Sequence, residues 1–596
     1  MSIDSANCQN VTGLFMAQAE AKGDAPFLWA KQSGAWVARS WAEVRADMLD
    51  LAAGLVALGL KRGDRVVLVS ENRPEWAVAD LAIMAAGGIS VPAYTTNTPA
   101  DHLHILNNSG ARFVITSTRA LADKVLAAAW QAASPPTVIA INPPEVRQSS
   151  GAGLISWADT LALGRGGQQG LAEAMTAPQR HDPACIIYTS GTGGAPRGVV
   201  LSHGALLANA RGALRLVDSI TDGNDVFLSF LPLSHAYEHT AGLILPILLG
   251  AQIYYAESIE ALVGNMAEAR PTIMTAVPRL YEMMRMRILG GLRRQSRLNQ
   301  TLFHKTVELG TKRYLKGRLG PVDALMDRAL DRLVRSKVAA RFGGRLQAMV
   351  SGGAPLAYEV GLFFTALGVR ILQGYGQTEA APVICANHPQ KIKIDTVGPA
   401  LDGVEVRIAA DGEILVRGEN VMLGYWNDPA GTAAVLHDGW LHTGDIGELD
   451  ADGYLRITDR KKDIIVNSGG DNVSPQRVEG FLTLAPEIAQ AMAYGDRRPH
   501  LVALVVPDAD WAAEWARQNG KPTELAQLVE DAEFRQAVQA TVDRINKTLS
   551  TIEKVRKVAV TAEPFSTENG MLTPTMKIRR HVIRKTYGER LEALYQ

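Results

Sequence analysis

Short apolar runs alternate with longer amphipathic stretches through the first two-thirds of the chain. "RVVLVS" from Arg65 is long enough for a buried strand and too short for a helix. "RPEWAVADLAIMAAGG" follows, with Pro74 placed to start a helix and Gly87-Gly88 placed to end it. "ISVPAY", the helical "PADHLHILNNSG" and the strand-like "ARFVITS" repeat the cycle. Strand–helix–strand repeats of this kind predict a parallel sheet covered by helices. No G-x-G-x-x-G opens the first helix, which disfavours a dinucleotide fold.

The cycle resumes further on. "DVFLSFLP" reads as a strand and "HAYEHTAGLILPILLG" as a helix; "AQIYYA", "PTIMTAV", "RLQAMVSGG" and "VRILQGYG" read as further short strands. A second βα set therefore stands beside the first. From about Asp395 the texture changes to short strands around Asp411-Gly412 and Asp452-Gly453, both hairpin signals, which predicts a small antiparallel barrel or sheet over about 395–458. Beyond "DRKKD" the pattern is mixed α+β, so a boundary is expected at 459–462, dividing a large α/β domain (1–458) from a smaller α+β domain (459–596). A helical stretch over about 285–345 is rich in Lys and Arg and poor in acids. It reads either as a solvated face or as a surface for a membrane or another anionic partner.

Composition narrows the class. With 596 residues the chain exceeds one core, and 47% hydrophobic and 20% charged residues are globular values. Lys+Arg and Asp+Glu balance at 61 each, so nothing pulls the whole chain toward nucleic acid. Cys8, Cys185 and Cys385 lie too far apart for a disulfide framework or a metal motif, which suits a reducing cytoplasm. "MSIDSANCQN" has no signal-peptide character, and the longest apolar run, "AGLILPILLGA", is too short to span a bilayer.

Candidate chemistry centres on "YTSGTGGAPRG", Tyr188 to Gly198. Apolar strand-like segments flank it, so it lacks the helix of a Walker loop. Gly191, Gly193 and Gly194 still permit a nest of inward-pointing N–H groups, Thr189, Ser190 and Thr192 add hydroxyls, and Arg197 adds a cation. On these residues alone, a phosphate cradle and an ordinary Gly-rich hairpin are equally good readings.

The motifs downstream separate the two. "SGGAPL", "GYGQTEAAP", "GWLHTGDIG", "DRKKDIIVNSGGDNVSP" and "PTMK" follow in order, and together they resemble the adenylate-forming superfamily over nearly the whole chain. Within it the chain is most similar to the long-chain fatty acid–CoA ligases, through "LPLSHAYEH", "VPRLYEMM", the basic insertion, "GYGQTE" and "ENGMLTPTMKIRR". The resemblance implies an ATP-dependent enzyme that converts a fatty acid to acyl-AMP, releases pyrophosphate and passes the acyl group to coenzyme A. It implies that Thr189–Gly198 cradles the triphosphate and that Gly353, Ala354 and Pro355 line the adenine pocket. Gly374 and Tyr375 belong to the same nucleotide site, with Tyr375 stacking on the base. Thr378 meets the α-phosphate and Glu379 holds Mg²⁺. Asp445 and Arg460 reach the ribose, and Lys577 bridges carboxylate and nucleotide. His235, with Tyr237 and Gly352, lies at the acyl substrate. Lys462 is the hinge, and Gly469 and Gly470 approach the thiol in the second step.

One departure stands out. Where the family loop reads T-S-G-T-T-G-x-P-K-G, this chain has Gly193 for threonine and Arg197 for lysine. The alternatives left open are an acyl-AMP ligase serving a carrier protein, a CoA ligase for medium-chain or aromatic acids, and an inactive nucleotide-binding regulator.

Overall fold

The computed structural model describes residues 8–144, 153–167, 171–189, 196–461, 464–469, 471–573 and 578–596. The first βα set forms an eight-stranded sheet in the order Gly424–Tyr425, Arg197–Ser202, Pro183–Thr189, Ile89–Ala93, Arg65–Val69, Phe113–Thr116, Thr137–Ala140, Leu154–Ser156. Its inner strands are parallel, and Pro183–Thr189 and Arg197–Ser202 form an antiparallel hairpin at one side. The connecting helices begin and end where the sequence signals place them. Thr98 and Asp101 form a capping box with Pro99 in the first turn, and Gly110 ends that helix in the left-handed region.

The second sheet also has eight strands: Val383–Ala386, Ile371–Gly376, Ala348–Ser351, Ile273–Ala276, Val226–Ser229, Gln252–Tyr255, Pro26–Gln32 and Ala35–Ser40. The last two are an N-terminal hairpin. Leu28 pairs with Ile253, so the start of the chain closes the edge of a sheet otherwise built from its middle. Helix Pro74–Ala85 is buried along almost its whole length, in a core that also contains Leu68 and Ile115 of the first sheet and Phe27 and Ile253 of the second. An Ala-rich helix apolar all round suits that two-sided burial.

A five-stranded antiparallel sheet follows, containing Val404–Ile408, Glu413–Gly418, Leu436–His437, Trp440–Leu449 and Leu455–Arg460. Gly412 (φ 85°) and Gly453 (φ 77°) make the tight turns that the Asp-Gly pairs predict. Within the basic stretch lie helices Pro278–Arg293, Arg297–Lys316 and Pro321–Leu330, then a π-helical segment Asp331–Arg335 and helix Ser336–Arg341.

The C-terminal part holds a three-stranded sheet: Ile488–Tyr494, Leu501–Pro507, Val555–Val560. Leu501, Ala503 and Val505 face a core with Val478 and Phe534, while Val502, Leu504 and Val506 face another with Ile583 and Leu591. Burial on both faces explains why "LVALVVP" is continuously apolar. Leu484 of this part packs against the cluster of Tyr281, Met284 and Phe363 in the large part. The fold is mixed α/β, with a large N-terminal part built on two eight-stranded sheets and a smaller C-terminal part built on the three-stranded one. No described helix is long and apolar enough to cross a membrane.

Candidate active site

Three groups of side chains lie near the ends of strands of the second sheet and at the hairpin formed by Pro183–Thr189 and Arg197–Ser202. The ends of parallel strands are where α/β sheets place ligands.

The first group is Tyr375, Asp445 and Arg460. Tyr375 sits near the end of strand Ile371–Gly376 and donates its hydroxyl to Asp445 Oδ2 at 2.6 Å. Asp445 and Arg460 face each other across the antiparallel pair Trp440–Leu449 and Leu455–Arg460, and Arg460 Nε lies 3.2 Å from Asp445 Oδ1. The Asp445 N–H donates to Thr443 Oγ1 at 3.1 Å. Burial, reinforced by the Asp445 charge, pushes the Tyr375 phenol well above its ordinary range, so it remains a hydrogen-bond donor at all working pH values. Asp445 is buried yet carries both a cation and a phenol. A carboxylate offers about four acceptor sites, so two of its lone pairs remain for the hydroxyls of a sugar.

The second group joins that hairpin to Glu379. Thr189 pairs with Arg197 where the hairpin closes. The Arg197 guanidinium lies 5.2 Å from the centre of the Tyr425 ring and 3.5 Å from Asp428 Oδ2. Tyr425 in turn donates to Glu379 Oε1 at 2.9 Å. The backbone reinforces the link: Met422 N–H donates to the Glu379 carbonyl and Leu423 N–H to that of Val200. Strand Gly424–Tyr425 thus stitches the first sheet to the loop after the second. Thr378 and Glu379 open a short 3-10 turn, Thr378–Ala380.

A single carboxylate fits Mg²⁺, which completes its shell with water and phosphate oxygens. Among the described residues no cluster of three or more metal-ligating side chains forms, so an all-protein cage is not built there. Glu379 fits a cation shared with a triphosphate.

The third group is Tyr237, Gly352 and His235. Tyr237 donates its hydroxyl to the Val350 carbonyl at 3.0 Å, and its ring lies over Gly352, where an added Cβ would meet Tyr237 Cζ at 3.1 Å. A side chain at 352 would press on that ring. Half-buried His235 caps the turn Ala236–Glu238, accepting from Tyr237 N–H through Nδ1 at 3.2 Å. Gly353 adopts φ 84°, and Ala354 and Pro355 after it are exposed. Half-buried Gly374 pairs with Ala386.

Ser190, Gly191, Thr192, Gly193, Gly194, Lys462, Gly470 and Lys577 lie outside the described residues. Gly469 is exposed in a turn of the small domain, donating to Asn467 Oδ1 at 2.9 Å. Sequence reasoning missed Tyr425 and Asp428. They lie in "LGYWNDP", a segment that carries no periodicity and shows its meaning only once Gly424–Tyr425 pairs with strand Arg197–Ser202. It also missed Glu238, which is fully buried and accepts from Thr275 Oγ1 at 2.5 Å; desolvation pushes its carboxyl up to about 7.

Residues 15–426 match the family described as AMP-binding enzyme, and residues 462–596 match the AMP-binding enzyme C-terminal domain. A long-chain-fatty-acid–CoA ligase of Mycobacterium bovis is 33% identical over 591 residues, covering 94% of this chain and 93% of the relative. A peroxisomal long chain acyl-CoA synthetase of Arabidopsis thaliana is also 33% identical, over 92% of this chain and 80% of its own. Among solved structures, the A domain of a carboxylic acid reductase from Segniliparus rugosus, in complex with AMP and a co-purified carboxylic acid, superposes with a TM-score of 0.75. It is 21% identical and the match covers 98% of this chain and 94% of that one, a likeness of fold.

Proposed function

The chain belongs to the AMP-binding enzyme family, and on that premise we propose that it is a long-chain fatty acid–CoA ligase of the cytoplasm. In the first step a carboxylate oxygen attacks the α-phosphorus of ATP, the bond to the β-phosphate breaks, and pyrophosphate leaves. In the second the sulfur of coenzyme A attacks the acyl carbon, the anhydride C–O bond breaks, AMP leaves, and the thiol proton passes to solvent. Both are transfers between anions, so the chain's task is to hold like charges together and to offset charge as it moves.

The observation that carries this reading is the Tyr375–Asp445–Arg460 cluster, a buried acceptor held by a phenol and a guanidinium. Asp445 accepts from the ribose hydroxyls while Arg460 holds it in place, and the Tyr375 ring supports the base. His235, Tyr237 and Gly352 form the wall against the acyl carboxyl, and Thr378 meets the α-phosphate. Mg²⁺, when bound, offsets charge on the phosphates, with Glu379 as its protein ligand. Thr189, Ser190, Gly191, Thr192, Gly193, Gly194 and Arg197 serve the triphosphate, and Lys577 serves the carboxylate in adenylation. The small domain begins at 459–462 and turns about Lys462 between steps, exchanging Lys577 for Gly469 and Gly470. The long-chain assignment is supported by relatives of that name aligned over more than nine-tenths of this chain.

A panel of short, long and aromatic acids, incubated with ATP and Mg²⁺ with and without coenzyme A, tests it by mass analysis of products. Long-chain acyl-CoA is expected. Accumulation of acyl-AMP with no thioester for any acid would refute it.

A further inference from the structure

The segment "LPLSHAYE", 231–238, carries His235 and Tyr237. Within it the His235 N–H donates to the Pro232 carbonyl at 2.9 Å, a local turn that fixes shape without fixing place. Two side chains fix its place, one at each end. Asn72 is half-buried in the loop after strand Arg65–Val69 of the first sheet. Its Nδ2 donates to Ser229 Oγ at 3.0 Å and to the Leu231 carbonyl at 2.6 Å, and its Oδ1 accepts from the Leu233 N–H at 2.9 Å. Both ends of the amide are thus engaged. A loop of the first sheet grips the segment where it leaves the second.

At the far end stands Glu238, fully buried. Thr275 of strand Ile273–Ala276 donates to its Oε2 at 2.5 Å. The carboxyl fills the space left by Gly242, where an added Cβ would meet Glu238 Cδ at 2.5 Å. The Ser229 hydroxyl stabilises the same carboxylate, so Asn72 and Glu238 share a partner. An apolar side chain at 238 would hold the turn by packing at lower cost, because a buried carboxyl must be desolvated. Hydrogen bonds supply what packing lacks, a fixed direction. The π-helical turn His239–Ile244 begins at the next residue, a conformation that recurs at functional sites.

We propose that Asn72 and Glu238 are positioning residues for the acyl site, holding segment 231–238 so that His235 and Tyr237 face the acyl carboxyl. The proposal rests on the reading of those two side chains as the acyl wall. Their partners are distinct from Tyr375, Asp445 and Arg460, so nucleotide binding does not depend on them. The full chain is assayed for pyrophosphate release with palmitate and ATP, and hydrogen exchange is followed in segment 231–238. Asn72→Asp keeps the size and the acceptor for Leu233 but loses both donors; Glu238→Ala loses the grip on Thr275. Each is expected to raise the KM for palmitate about tenfold, to leave the KM for ATP within about twofold, and to speed exchange in the segment. Glu238→Gln keeps the shape and an acceptor for Thr275, and is expected to return the palmitate KM to within about twofold of wild type. A general loss of packing would move both KM values together. Equal rises in the two KM values, Glu238→Gln as impaired as Glu238→Ala, or unchanged exchange overturns the proposal. Wild type that activates no acid refutes the function assigned above; exchange in Asn72→Asp then decides the positioning by itself, and an unchanged rate overturns it.

Discussion

Tyr425 donates a hydrogen bond to Glu379 while its ring lies beneath the guanidinium of Arg197. One side chain thus couples the cation at the mouth of the Gly-rich hairpin to the Glu379 carboxylate. Arg197, where the family pattern has lysine, is broad enough to touch both the ring and Asp428, a contact for which a compact ammonium is less suited.

Tyr425→Phe keeps the ring and removes the donor. Glu379 then loses its partner, and the Mg²⁺ requirement for pyrophosphate release should rise by about three- to tenfold, with a stability loss of about 1 kcal/mol. Titrating Mg²⁺ at saturating ATP measures the first and a denaturant melt the second. A larger loss in Tyr425→Phe than in Glu379→Gln would contradict the linkage.

Asp445→Asn keeps the shape and removes the charge that holds Arg460 and orients the Tyr375 hydroxyl. AMP affinity should fall by about 10- to 100-fold, corresponding to ~1.4–3 kcal/mol. Tyr375→Phe should cost less, because Arg460 still fixes the carboxylate. Calorimetry with AMP ranks the two; equal losses would show that the phenol, rather than the charge, dominates.

Lys577→Ala should abolish acyl-AMP formation while leaving transfer from supplied acyl-AMP to coenzyme A within about threefold of wild type, because a charge that bridges carboxylate and nucleotide serves only the first step. Assaying the half-reactions separately decides it. Equal loss of both would remove the division of labour between them.

Glu238 offers a pH signature. Its folded carboxyl titrates near 7, above the ordinary value of 4.5. The folded chain therefore binds a proton that the unfolded chain has lost. Stability from this group is complete below about pH 4.5 and declines as pH rises toward 7, by on the order of 3 kcal/mol. Glu238→Gln should flatten the melting temperature between pH 5 and 8. An unchanged slope would mean that other groups set it.

Much of this was legible in order and little of it in space. "RVVLVS", "ARFVITS" and the Asp-Gly hairpins declare their elements because periodicity and turn chemistry are local. Tyr375, Asp445 and Arg460 each stand out within a motif, but that one carboxylate holds both a phenol and a guanidinium depends on positions 70 apart. Tyr425 was illegible because its role arises from sheet pairing. Helix Pro321–Leu330 was half legible: the cations of its stretch stand out in the sequence, whereas the buried pairing of Asp327 with Arg335 depends on how the helices pack.

The N-terminal hairpin has a consequence for how the protein is made. Pro26–Gln32 pairs with Gln252–Tyr255, about 225 residues later. At synthesis rates of about 5–20 residues per second, that strand leaves the ribosome roughly 10–45 s before its neighbour exists. Through that interval the strand can pair only with Ala35–Ser40, and its other edge is an open template for other chains. The N-terminal hairpin is therefore a segment whose partner edge is completed late in synthesis, after the whole first sheet's parallel strands have emerged.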